Sequence, residues 1–238
     1  MSALLYLRDP YLAEAFSRVI AHTPEGGVVL DQCLFYATGG GQPGDCGRLV
    51  WPGGAMEVAT AIKTETGVAL VPAAPHPLPP VGTPVTQHID WTRRHRHMRM
   101  HTALHLLSVV IPLPVTGGQV GETRSRLDFD MPEAPDDLAT LQTHLDMLVE
   151  RDLPVREEWI TDDALAANPG LVKTMSVAPP RGSGRVRLIR IGEGEDQVDL
   201  QPCGGTHVAR TGEIGALRLG KVEKKGRQNR RVYLHLDD

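Results

Sequence analysis

The chemistry of this 238-residue chain is concentrated in two short segments that lie far apart in the sequence. His101 and His105 sit four positions apart in the run MRMHTALHLLSVV. On a helix that spacing places two imidazoles one turn above each other on a single face. Cys203 and His207 bracket Gly-Gly-Thr, and glycines at those positions let the backbone curl until both side chains reach one point. Three imidazoles and a thiolate form a tetrahedral donor set suited to one zinc ion per chain. His97 and His101 offer a rival pair at the same spacing, and spacing alone does not choose between them. His105 stands among Leu104, Leu106 and Leu107, where an unpartnered polar ring is costly to bury. That favours His101 with His105 and puts His97 nearer a charged edge. A set of four protein ligands usually belongs to a structural site, whereas a catalytic one keeps a position open. A reactive site therefore calls for one loosely held ligand, here His207; otherwise the metal only shapes the pocket.

These residues need elements to carry them. Apolar spacing predicts a helix over 98–111 ended by Pro112, and a second over 135–152 with Leu138, Leu141, Leu145 and Leu148 on one face. Alternation predicts strands at 126–130, 155–160, 186–191, 197–201 and 231–236. Short β-rich runs at 27–31, 47–51, 56–63 and 68–71, separated by glycine turns, suit a small antiparallel barrel. Between these textures lies 72–84, with six prolines, which reads as a stiff linker. The expected class is α+β: a small N-terminal β-barrel domain over 1–87, followed by a two-layer α/β domain over 88–238.

Composition excludes several classes. No stretch approaches the length of apolar chain that spans a membrane, and Arg8 and Asp9 interrupt any signal-peptide core, so a cytoplasmic protein is expected. Three cysteines are too few for a disulfide framework, and most isolated cysteines are core residues. The net charge of -4 argues against a wholly basic nucleic-acid coat. Cations nevertheless gather at Arg93, Arg94, Arg96 and Arg99, at Arg185, Arg187 and Arg190, and at Lys221, Lys224, Lys225, Arg227, Arg230 and Arg231. Such clusters are either solvated faces or phosphate contacts. The cluster at 185–190 reads as partly an ordinary strand face.

With these residues in view, HTALHLL followed by CGGTHVARTGEIG resembles the editing domain of alanyl-tRNA synthetase, and still more the free-standing editing proteins called AlaX. CLFYATGGGQPGDCG is similar to the glycine-rich motif of that family, and RLDFD and KGRQNRRVYL also fit. The resemblance covers nearly the whole chain and implies the medium-length class, without a preceding aminoacylation domain or the extra C-terminal domain of long forms. It implies hydrolysis of the ester joining serine, or glycine, to alanine tRNA, with His101, His105, Cys203 and His207 as zinc ligands and catalytic centre. Thr38 is then expected to contact the serine hydroxyl, with Gly40, Gly41, Gln42 and Asp45 supporting it in the substrate loop. Arg93, Arg94, Lys221, Lys224, Lys225, Arg227, Arg230 and Arg231 are expected on the tRNA acceptor end. No obligate protein partner is implied. Two other readings remain: a zinc-stabilised tRNA-binding module without catalysis, and a deacylase of serine on threonine tRNA.

Overall fold

A computed structural model describes residues 2–65, 67–175 and 184–237. The chain divides into two compact units, Met1–His95 and Arg96–Asp238.

In the first unit the strands are β1 (Ala3–Leu4), β2 (Glu14–His22), β3 (Val28–Leu30), β4 (Gln32–Cys33), β5 (Gly47–Trp51), β6 (Gly54–Thr64), β7 (Gly67–Pro72) and β8 (Pro84–Ile89). Six of them close a barrel in the order β2-β3-β7-β6-β5-β8, while β1 and β4 form a separate parallel pair. Closure leaves no barrel strand with an unpaired edge. Val19, Leu30, Leu49, Met56, Val58, Leu70 and Val85 fill the core with Phe35 and Cys33. Burial pushes the Cys33 thiol up to about 12, so it behaves as a small apolar residue.

Two of these strands escape the sequence pattern. β2 hides its alternation because its exposed side carries Phe16 and Ile20, while its covered side sets only the small Ala15, Ser17 and Ala21 beside Val19. β8 begins at the last proline of the proline-rich stretch and runs through position 87 to Ile89, pairing with β2 and β5. Proline is tolerated at the first position of a strand, which is where Pro84 sits.

Helix α1 (Trp91–Val110) starts seven residues before the apolar periodicity does. Its cap is Asp90, whose Oδ1 accepts the Arg93 backbone N–H at 3.0 Å. From Met98 to Ser108 almost every side chain is buried, as in a helix surrounded by its own core. The second unit continues with β9 (Val115–Gln119), β10 (Arg124–Asp130), α2 (Leu138–Glu150), β11 (Val155–Thr161), α3 (Asp162–Ala167), β12 (Arg185–Ile191), β13 (Asp199–Pro202), β14 (Leu217–Lys224) and β15 (Asn229–Leu236). They form a four-stranded sheet, β14-β15-β10-β9, and a three-stranded sheet, β11-β12-β13. Asp137 caps α2 by accepting the Thr140 N–H at 2.9 Å, so the helix starts after Pro135. The architecture is α+β, with the barrel first and the helix-and-sheet region after it. No helix among the described residues is long and apolar enough to cross a membrane.

Candidate metal centre and substrate loop

His101 and His105 project from the buried stretch of α1, and Cys203 and His207 from the loop that follows β13. One ligand atom from each of the four lies within 4.8 Å of all the others. Cys203 Sγ stands 3.5 Å from His101 Nε2 and 3.3 Å from His207 Nε2. The rings crowd together, with centroids 4.4 Å apart for His101 and His207 and 4.7 Å for His105 and His207. His97, at the rival spacing, is outside this cluster; it is also buried rather than at a charged edge.

Surrounding groups fix which nitrogen each ring presents. His105 Nδ1 lies 2.9 Å from Asp199 Oδ2, and Asp199 Oδ1 accepts from Lys173 Nζ at 2.5 Å. Gln201 Nε2 donates to the same Asp199 Oδ2 at 2.8 Å. His207 Nδ1 lies 3.1 Å from Thr102 Oγ1. That hydroxyl donates to the Met98 carbonyl at 3.0 Å and accepts the Val208 N–H at 3.3 Å. Its single proton is therefore used, and it can only accept from His207, which puts the ring hydrogen on Nδ1 and the lone pair on Nε2. Both imidazoles thus turn Nε2 inward, as metal-ligating histidines do when their outer nitrogen is held. His207, the ligand expected to be loosest, is anchored in this way.

Arg187 braces the second half of the site. Its Nη1 donates to the carbonyls of Cys203 at 3.0 Å and Gly205 at 2.9 Å, while Nε pairs with Glu157. Arg190 on the same strand pairs with Glu158, as expected of a strand face.

Burial opposes a thiolate at Cys203, but His101 and His207 beside it bring its pKa well below the ordinary thiol value. Burial likewise opposes charge on His105, yet its hydrogen bonds to Asp199 and Cys203 outweigh this and raise its pKa to about 9. Burial, then the His101 charge, depresses His207 to about 3. A thiolate and inward nitrogens with borderline-soft character fit one ion of the zinc type. Below pH 9 a proton competes for His105, so zinc affinity should rise with pH up to about that value. Near neutral pH, binding should release a proton. Calorimetric titration of the ion-free protein in two buffers of different ionisation enthalpy checks this; identical heats would count against it.

The glycine-rich loop belongs to the barrel unit and is closed at its base. Asp45 N donates to the Tyr36 carbonyl at 3.0 Å, and Tyr36 N returns a bond to Asp45 Oδ2 at 2.6 Å. Gly39 and Gln42 bridge across a tight turn whose central residues, Gly40 and Gly41, have φ of 57° and 82°, a conformation that favours glycine. Thr38 is exposed, and its hydroxyl accepts the Gly44 N–H at 2.9 Å. Gln42 and Asp45 are both buried.

Arg94, expected at a tRNA surface, is wholly buried instead. Its Nε bonds both Asp45 oxygens, Nη2 bonds Asp45 and the Leu34 carbonyl, and Nη1 bonds the Pro10 carbonyl. Arg93 is half-buried and donates to the Gly44 carbonyl at 2.8 Å. In the second unit Arg230 is turned inward onto the carbonyls of Gly226, Asn229 and Pro132. Its neighbour Arg231 points to the other face of β15, onto Asp128. Lys221, Lys224, Lys225 and Arg227 are exposed along β14 and the turn after it.

The site thus belongs to an α+β unit that follows a closed barrel and gathers three imidazoles and one thiol. Residues 10–93 match the family described as tRNA synthetases class II (A), and residues 186–233 the threonyl and alanyl tRNA synthetase second additional domain. The alanyl-tRNA editing protein AlaX-M of Methanosarcina acetivorans is 33% identical over the whole of both chains. That of Methanosarcina mazei is 34% identical over all of this chain and 98% of its own. The alanine–tRNA ligase of Pyrobaculum arsenaticum is 35% identical over 92% of this chain, which spans 25% of that ligase. The chain belongs to the AlaX-M family of alanyl-tRNA editing proteins.

Proposed function

We propose that this chain is a trans-editing hydrolase that removes serine, and glycine, wrongly esterified to alanine tRNA, and that it works in the cytoplasm, where charged tRNA is used. The observation that carries this reading is the convergence of His101, His105, Cys203 and His207 on one point. Similarity to AlaX-M over the full length of both chains supports it. In the reaction, water adds to the ester carbonyl, the bond to the ribose oxygen breaks, and that oxygen takes a proton. The products are the free amino acid and the tRNA. An ion held by all four ligands would shape the pocket, and it would act as a Lewis acid on the carbonyl or on water once one ligand gives way. Asp199, Gln201 and Thr102 hold the imidazoles in the orientation this needs.

In this reading Thr38 meets the serine hydroxyl, and Gly40, Gly41, Gln42 and Asp45 keep its loop in shape. A site arranged around a hydroxyl rejects the analogue that lacks it, because a polar group is then left unpaired. Thr38→Val should therefore slow serine removal at least about tenfold more than glycine removal. Thr38→Ser, which keeps the acceptor for Gly44, should retain the preference. Equal losses on both substrates would count against the contact. In the same reading Arg93, Lys221, Lys224, Lys225, Arg227 and Arg231 contact the acceptor end, while Arg94 and Arg230 serve the fold.

The deciding experiment compares seryl-, glycyl- and alanyl-charged alanine tRNA in parallel, with seryl-charged threonine tRNA as competitor. Serine should be released well above the buffer rate while alanine is spared. Release no faster than in buffer would defeat the enzyme and leave a zinc-stabilised RNA-binding module.

A further inference from the structure

We propose that the outer face of the four-stranded sheet, centred on Arg124, Arg126, Arg231 and Tyr233, docks the sugar–phosphate backbone of RNA. The inference rests on the proposed function for the identity of the RNA, alanine tRNA, but not for the surface itself. Strand alternation sends Ser125, Leu127 and Phe129 of β10 and Val232 and Leu234 of β15 to the buried side. Arg124, Arg126 and Asp128 therefore share the other side with Arg231 and Tyr233. Register confirms this, since Arg126 pairs with Tyr233 and Asp128 with Arg231. Gln119 of β9 lies opposite Arg126 and completes a shallow depression of about 250 Å³.

The charges on this face are unbalanced and held in place. Asp128 receives two guanidinium groups, Arg231 through two bonds of 2.8 and 2.9 Å and Arg126 at 2.7 Å. Glu223 receives Lys221, Lys225 and the Tyr233 hydroxyl. Arg124 and Lys221 lie over the Tyr233 ring, 5.2 and 5.5 Å from its centroid. With Asp130 on the same side of β10, three carboxylates face these five cations, leaving a positive surplus whose side chains are already fixed by an aromatic platform and acidic pins. Guanidinium groups held in this way offer phosphate oxygens their remaining N–H donors, beside the exposed Arg124. Gly220 lets β14 approach closely, because a Cβ there would stand 2.8 Å from His235 and 2.9 Å from Tyr233. Arg124, Lys221 and Gln119 remain exposed to a ligand. Phosphate contacts of this kind give affinity and salt dependence rather than sequence reading.

The test titrates labelled, uncharged alanine tRNA with the full chain at several salt concentrations. Arg124→Gln and Arg126→Gln should each weaken binding about three- to tenfold and flatten the slope of log K against log[salt] by about one. Tyr233→Ala should lose at least about fivefold by releasing the cations it supports, whereas Tyr233→Phe keeps the ring and stays within about twofold. Arg156→Gln, on the other sheet and paired with Glu193, should bind as the wild type does. Arg124 is exposed, so its replacement leaves the fold intact, as a thermal melt will check. Unchanged affinity in both arginine variants, or an equal loss in Arg156→Gln, overturns the surface. A wild type that binds tRNA through this face but hydrolyses no ester would overturn the proposed function alone.

Discussion

Replacing Cys203 with alanine should reduce bound zinc from about one ion per chain to a small fraction and remove ester hydrolysis with it. The thiolate is the one sulfur donor in the cluster and lies within 3.5 Å of two imidazole nitrogens. Altering groups that merely orient ligands costs about 10–100-fold in metal affinity or activity, and deleting a direct ligand costs more. Asp199→Asn offers a graded comparison, because it keeps an oxygen near His105 but withdraws the charge that holds the ring. Its loss should fall within that 10–100-fold range. Metal analysis after dialysis and deacylation assays on the same preparations read the two effects together. A Cys203→Ala protein that keeps stoichiometric zinc would exclude the thiolate as a ligand.

The second large effect concerns stability. Arg94→Ala should destabilise the chain by about 3–5 kcal/mol, the usual cost of leaving a buried charge without its partner. Asp45 would be stranded in the interior, and the carbonyls of Leu34 and Pro10 would lose their donors. Against a typical total of about 5–15 kcal/mol, that is a shift easily seen in a urea midpoint. The double variant Arg94→Met with Asp45→Asn removes both charges and leaves an acceptor for the Tyr36 N–H. It should recover much of the loss. A single variant within about 1 kcal/mol of the wild type would show that the pair is not a clamp.

The same arginine shows where sequence reading stops. Arg93, Arg94, Arg96 and Arg99 look alike as a charged run, and nothing in their spacing says that one is buried against a carboxylate 49 residues earlier. The metal ligands were legible because an i, i+4 helical pair and a tight CxxxH loop are local patterns. Their supports are not local. Thr102 meets His207 across 105 positions, and Asp199 meets His105 across 94. One signal was available: Asp199 and Gln201 alternate along β13 just before Cys203, so a charge and an amide share the strand face that leads to the thiolate. The barrel was visible in its interior strands but not in β2, whose alternation is masked by its solvent side, or in β8, whose first residue is a proline. The early start of α1 was signalled only by Asp90 as a cap before a polar first turn.

The three thiols differ sharply in their readiness to react. Cys33 is sealed in the barrel core with a pKa near 12, and burial outweighs Arg93 to keep Cys46 above its ordinary value. Cys203 alone is drawn far towards the thiolate. An alkylating reagent applied near neutrality should mark that one position, and a coordinated ion should shield it. The pattern of labelling across the three cysteines then serves as a gauge of metal occupancy in crude extracts, with two silent thiols as internal standards.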